Sequence, residues 1–248
     1  MNNLLPYADP QDESLDVLAR HIWRSVVSET LPELRHYRHW VLSQPAKRLG
    51  GDFQLVADSW VAVGDVSGKG MPAALLTCMF VAAFKLAVRS PNPGKALEHA
   101  LFNELESANM FITLAAAELG HDGWLSALNL GHPPVLVRRL SGEIAQLSAS
   151  APPVGTFRLP DYHSESVRLA PGELVCLYTD GLLEASKGDE LFGLERLTDL
   201  LANHQEPEAA FRAILDELQG WALDDDLTLL LLQYLPERNW RDSHLDRR

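Results

Sequence analysis

Apolar residues recur at two different spacings along the chain, and the change of period divides it into elements. Over residues 14–33, Leu15, Leu18, Ile22, Val26 and Val27 follow helical spacing, and Pro32 marks the end. Shorter apolar runs follow at 39–43, 53–56 and 59–66; they read as strands, the last two joined by a tight Ala57-Asp58 turn. Residues 71–88, MPAALLTCMFVAAFKLAV, return to a helix, with Pro72 near its start, where a missing N–H is harmless. This helix is apolar nearly all round, which predicts that it is buried. Pro91 stops it, and Asn92-Pro93 supply the cap and first turn of a second helix reaching about residue 107.

The second half is mainly β. Runs at 111–119, 124–130 and 135–140 are separated by turn residues at Gly120-His121-Asp122-Gly123 and Ser141-Gly142. A loop rich in proline and glycine covers 151–160, and strands at 166–169 and 174–178 flank Pro171-Gly172. Helices at 194–203 and 207–221 precede a last strand at 227–234 and a charged tail at 236–248. Antiparallel strands with segregated helices predict one layered α+β domain over residues 40–235, preceded by a helical extension at 1–39.

Composition narrows the function classes. The chain has 248 residues and is 46% hydrophobic and 22% charged, as a soluble domain with a substantial core is. No apolar run is long enough to span a bilayer, and the acidic start, MNNLLPYADPQDESLD, carries no signal-peptide pattern. Two cysteines in separate apolar segments, Cys78 and Cys176, read as buried free thiols and fit a reducing cytoplasm. A formal charge of −13 disfavours nucleic acid as a partner.

Acidic residues stand at the ends of the apolar runs. Asp52 follows Gly50-Gly51, Asp65 ends VAVGD, Asp180 ends LVCLYTD, and Asp224, Asp225 and Asp226 precede LTLLLLQY. If those strands lie side by side, the carboxylates converge at one rim of the sheet. Carboxylates gathered in this way repel unless a cation compensates, and hard divalent ions such as magnesium or manganese take oxygen ligands. Each aspartate taken singly is equally a turn residue beside glycine.

Four blocks, in order, carry a resemblance: Gly50-Gly51-Asp52-Phe53, then GDVSGKGMPAA from Gly64 to Ala74, then Tyr178-Thr179-Asp180-Gly181 continuing to Glu184, then Asp225-Asp226-Leu227-Thr228. Asn129 to Pro134 and Glu190 to Gly193 are secondary landmarks. Over about residues 40 to 235 the chain resembles the SpoIIE-like branch of the PPM family of metal-dependent protein serine/threonine phosphatases. The resemblance implies an α-β-β-α sandwich of two antiparallel sheets flanked by helices, with two Mn2+ or Mg2+ ions at one end. It implies that Asp65 bridges the ions, that the Val66 carbonyl adds an oxygen, and that Asp52, Asp180 and Asp225 complete the set, with Asp226 at a position usually filled by Asn or Asp. The substrate it implies is a phosphorylated regulatory protein of the anti-sigma-factor antagonist type, in a partner-switching circuit. A homodimer and a separate regulatory partner both stay open.

Other residues in the blocks are read more plainly. GDVSGKG lacks the spacing of a nucleotide-binding P-loop, so Lys69 reads as structural or loosely electrostatic. His132 reads as turn-stabilising rather than as a general acid, and Glu184 as a neighbour of Asp180 rather than a ligand. The link from Asp52 to Asp65 is shorter than is usual in this branch, and Gln54 stands where an aromatic is common, which alters the rim of the cleft. The branch's sensor, receiver or coiled-coil domain has no counterpart in residues 1–39, so the chain reads as free-standing, as a fragment, or as contacting a partner through its first helix. Two rivals remain. One is a non-catalytic binding module on the same fold that sequesters a regulatory partner. The other is nucleotide chemistry, because Gly-Gly-Asp-Phe is one residue short of a diguanylate cyclase signature, although the other blocks have no place in that fold.

Overall fold

A computed structural model describes Trp23, Val26, Val27, residues 31–44 and residues 50–236. In chain order the strands are β1 (Tyr37–Gln44), β2 (Phe53–Ala57), β3 (Trp60–Val66), β4 (Ile112–Leu119), β5 (Trp124–Leu130), β6 (Val135–Arg138) and β7 (Ile144–Leu147). Then come β8 (Glu165–Arg168), β9 (Leu174–Tyr178), the short pair β10 (Ser186–Lys187) and β11 (Glu190–Leu191), and β12 (Leu227–Tyr234). The helices are α1 (Met71–Ala87), α2 (Pro93–Ala108), α3 (Asp180–Leu183), α4 (Gly193–Asn203) and α5 (Pro207–Glu217).

Two five-stranded antiparallel sheets form, one in the order β1-β12-β9-β6-β7 and the other β2-β3-β4-β5-β8. Three apolar layers hold them. Alternate residues of the second sheet, such as Phe53, Trp60 and Ala62, pack against Phe80 and Phe84 of α1 and Leu97 and Leu101 of α2. The opposite faces of the two sheets meet through Val61, Val63, Ala115 and Ala117 against Val175, Leu177, Leu230 and Leu232. The outer face of the first sheet, with Cys176, Tyr178, Leu229 and Leu231, is covered by Leu197 and Leu201 of α4 and Ile214 of α5. The result is the expected α-β-β-α sandwich. Burying each large side chain in these layers contributes roughly 1.5–3 kcal/mol.

Several boundaries differ from the sequence reading, each for a physical reason. The turn between β2 and β3 is Asp58-Ser59, where Asp58 takes the left-handed conformation (φ 52°) that aspartate tolerates better than alanine. Helix α1 is not buried all round: it lies on one sheet by one face, and Leu75, Met79 and Leu86 point outward, 59%, 42% and 70% exposed. Helix α2 starts where expected, with the Asn92 side chain accepting from the Lys95 amide, and ends at Asn109 in a left-handed cap. β6 stops at Arg138, whose guanidinium donates to the His204 and Gln205 carbonyls beyond α4. The short β7, the hairpin β10–β11 and α3 have too few residues to show a period. Trp23 and Val26 are helical, but most of the predicted 14–33 helix and the 236–248 tail lie outside the described residues, and residues 31–33 are not helical. Cys78 is half-buried, Cys176 is buried, and neither is in a disulfide. Among the described residues no helix is long and apolar enough to cross a membrane.

Candidate metal centre

Strand parity decides which side chains face the gap between the sheets. In β3, Val61 and Val63 belong to the inter-sheet layer while Trp60, Ala62 and Val66 face α1 and α2. Asp65 therefore falls on the inter-sheet side, at the end of the strand. Asp52 precedes Phe53, a helix-facing residue, and so takes the same side. Gln54 shares that parity and is buried, 1% exposed, rather than part of an open rim. From the other sheet, Thr179 continues the inter-sheet row of Val175 and Leu177, and Thr228 that of Leu230 and Leu232.

These positions meet at one rim. Asp52 is buried, and its Oδ2 accepts from Thr179 Oγ1 at 2.7 Å and from Thr228 Oγ1 at 3.0 Å. Thr179 Oγ1 in turn accepts from the Thr228 amide at 2.9 Å. Asp226 Oδ2 accepts from the Gly51 amide at 2.9 Å, and the Gly51 carbonyl accepts from the Val66 amide (3.2 Å) and from Thr77 Oγ1 (3.3 Å). A methyl group on Gly51 would collide with the Val66 carbonyl oxygen and lie 2.6 Å from Asp65 Oδ1, so both oxygens are aimed at the same small space. Asp180 opens α3, with its carbonyl accepting from the Glu184 amide, and Gly181 beside it sits against the Asp226 carbonyl. Asp225 pairs with Lys69, Nζ to Oδ2 3.1 Å, and Lys69 also donates to the Asp224 carbonyl at 3.3 Å.

Crowding and burial set the electrostatics. The Asp65 carboxyl is pushed up to about 7, first by burial and then by the charges of Asp180, Asp225 and Asp226. Asp52 is held well above the usual carboxylate range by burial and then by Asp65, against the opposing hydrogen bond from Thr179. Burial and then Asp225 raise Asp180; burial and then Asp180 raise Glu184. The hydrogen bond to Asp225 raises the Lys69 ammonium.

Among the described residues no three acidic, histidine or cysteine side chains are placed to hold an ion as they stand. Instead three of the aspartates are turned onto protein donors: Asp52 onto two threonines, Asp226 onto the Gly51 amide, Asp225 onto Lys69. The donor set still suits a hard divalent ion. It is all oxygen, it is gathered where its members raise one another's proton affinity, and Val66 adds a carbonyl. The sequence blocks thus bring Asp52, Asp65, Val66, Asp180, Asp225 and Asp226 to one place, while Asp224 contributes only its carbonyl to Lys69. The sequence reading missed the threonines. Thr179 and Thr228 sit inside the YTDG and DDLT blocks, and their side-chain oxygens on strand ends beside aspartates were the available signal.

Removing one of those hydroxyls without changing shape tests the clamp. Thr179→Val is expected to destabilise the protein by roughly 1–3 kcal/mol, since a buried carboxylate loses a donor. Urea unfolding of the metal-free protein measures it, and a midpoint equal to wild type would mean the bond does not hold Asp52.

Known proteins share the fold. The chain is 26% identical over 230 residues to the phosphoserine phosphatase RsbU of Bacillus subtilis, covering 87% of this chain and 69% of RsbU. It spans 40% and 38% of the length of two other curated relatives it matches. The SiaA-PP2C domain of Pseudomonas aeruginosa superposes with a TM-score of 0.74 at 26% identity, over 90% of this chain and 96% of that one. The catalytic domain of the serine/threonine phosphatase PstP, solved with two manganese ions, shares the fold at 16% identity and a TM-score of 0.60, over 79% of this chain and 97% of that one. Residues 57–235, which hold β3 and every later described strand, match Stage II sporulation protein E (SpoIIE), and the chain belongs to that family.

Proposed function

We propose that the chain is a manganese- or magnesium-dependent phosphatase acting on phosphoserine or phosphothreonine in a protein, in the reducing cytoplasm. The observation that carries this reading is the gathering of aspartates from distant segments, 52, 65, 180 and 225–226, where burial and mutual repulsion raise Asp65 to about 7. Asp65, the Val66 carbonyl, Asp52, Asp180 and Asp225 would hold the ions, with Asp226 beside them. Ions bound there supply a water of lowered pKa and positive charge for the phosphoryl oxygens. The chain's own part is positional. Thr179 and Thr228 both donate to Oδ2 of Asp52 and so fix the orientation of its carboxylate. The Gly51 amide holds Asp226, and Lys69 keeps a positive charge at the mouth. Because the chain as a whole carries −13, attraction of a phosphorylated substrate has to come from this local positive charge.

The substrate class is a small phosphorylated antagonist protein of a partner-switching circuit, as the family resemblance implies. The experiment incubates the protein with a panel of phosphoserine antagonist proteins and Mn2+. Phosphate release that stops with EDTA and returns with added Mn2+ is expected. Tight binding of one such protein with no release under any metal would replace the enzyme with a sequestering module.

A further inference from the structure

His132 lies in the segment that crosses from β5, in one sheet, to β6, in the other, at the end where the aspartates gather. It is buried, 5% exposed. Nε2 stands 2.9 Å from the Tyr178 carbonyl oxygen, and Nδ1 stands 2.8 Å from Thr113 Oγ1. A carbonyl has no proton to give, so Nε2–H is the donor to Tyr178; Nδ1 faces Thr113 Oγ1, which also lies 3.5 Å from the Asp65 carbonyl oxygen. Both nitrogens are engaged, and burial lowers the ring's proton affinity to about 4, which favours the neutral form with Nδ1 accepting from the Thr113 hydroxyl. Each partner sits beside a candidate ligand: Thr113 is the residue paired with Asp65 in the β3–β4 register, and Tyr178 lies two residues before Asp180. The crossing segment is itself fixed, with the His132 amide donating to Asn129 Oδ1 and Asn129 Nδ2 donating to the Pro133 carbonyl, each at 3.0 Å. At the far end the Tyr37 and Tyr234 hydroxyls donate to the Gly120 and His121 carbonyls, and between the two ends the sheets meet mainly through apolar side chains, whose contacts resist separation but permit sliding.

We propose that His132 is a positioning residue, a cross-sheet strut between Thr113 and Tyr178 that sets the distance between the strand carrying Asp65 and the strand leading to Asp180. The inference rests on the metal-centre reading for its consequence but not for its geometry. It differs from a general-acid role, because a ring with both nitrogens occupied inside the sandwich has no proton to offer a leaving group. The strut complements the Asp52–Thr179–Thr228 tie and the Gly51–Asp226 bond, which also join segments of the two sheets at this end.

Thr113→Val and His132→Ala, singly and together, test it by two measurements. In the metal-free proteins, amide hydrogen exchange is expected to quicken together at 65–67 and 179–181, on both sheets, and to stay unchanged in α5. Manganese affinity by calorimetry is expected to fall by about tenfold to a hundredfold in either variant, as for other groups that orient ligands, with the double variant no worse than the worse single one. Thr113→Val keeps the shape of threonine, so it remains informative if His132→Ala fails to fold. Faster exchange on one sheet only, or unchanged manganese affinity in Thr113→Val, would overturn the strut. A wild-type protein that binds no manganese would overturn the metal centre instead, and the exchange measurement would still decide the strut.

Discussion

Replacing Asp65 with asparagine is expected to lower manganese-dependent phosphate release from a phosphoserine protein by a factor of about a thousand or more, and at the same time to raise the melting temperature of the metal-free protein by a few degrees. The two effects have one cause. Asp65 stands among Asp180, Asp225 and Asp226, so without cations its charge is opposed, and with them it is the group expected to hold both. The pH dependence has a definite sign. Its carboxyl is raised from 3.8 to about 7 in the folded protein. Through that window the unfolded chain gives up the proton before the folded one does, so folded metal-free protein loses stability as pH rises. Asp52 and Asp180 shift in the same direction, and the difference between wild type and Asp65→Asn isolates the share of Asp65. Calorimetric melting at about pH 5 and about pH 8 reads it: the variant's advantage should be larger at the higher pH. Equal melting temperatures at both would remove the electrostatic account, and retained phosphate release would remove the metal role.

The second large effect is expected from a single methyl group. Gly51→Ala places a carbon against the Val66 carbonyl oxygen and Asp65 Oδ1, in a segment whose amide holds Asp226 and whose carbonyl receives Val66 and Thr77. Neither neighbour can yield easily, since one is backbone and the other a half-buried carboxylate crowded by Asp180, Asp225 and Asp226. Overpacking of this kind costs about 1–3 kcal/mol, and misplacing reacting groups by about an ångström costs about a hundredfold in rate. Urea unfolding and phosphate release under saturating Mn2+ measure the two losses. A variant with wild-type stability and rate would show that the Gly51 segment does not set the position of Asp65.

The layered architecture was legible because long strands and helices carry strong periods. β12, with its short continuous run of leucines, and α2, with Asn92 and Pro93 at its start, needed nothing beyond local chemistry. The aspartates were legible as a set through their place at strand ends together with the four ordered blocks that carry the family resemblance; beside a glycine, any one alone reads equally as a turn residue. What escaped depends on contacts between distant segments. Thr179 and Thr228 look like ordinary β residues until Asp52 arrives from more than a hundred positions away, with sequence separations of 127 and 176. The outward face of α1 escaped because alanine, leucine and methionine read as core from any side, and only the sheet beneath decides which face is covered. His132 read as a turn residue from its flanking glycine and proline, and its ring partners lie on two different sheets.

The strand order has a bearing on how the protein is made. β12 lies between β1 and β9, yet it leaves the ribosome after every other described strand. Until it inserts, the nascent chain holds two unsatisfied strand edges facing an empty slot, the kind of surface that recruits stray strands from other molecules. Asp225 and Asp226 ride immediately ahead of that strand, so the same late insertion that seals the slot also delivers the final acidic groups. A truncated product stopping before Leu227 is therefore expected to be sticky and to leave the acidic cluster unassembled.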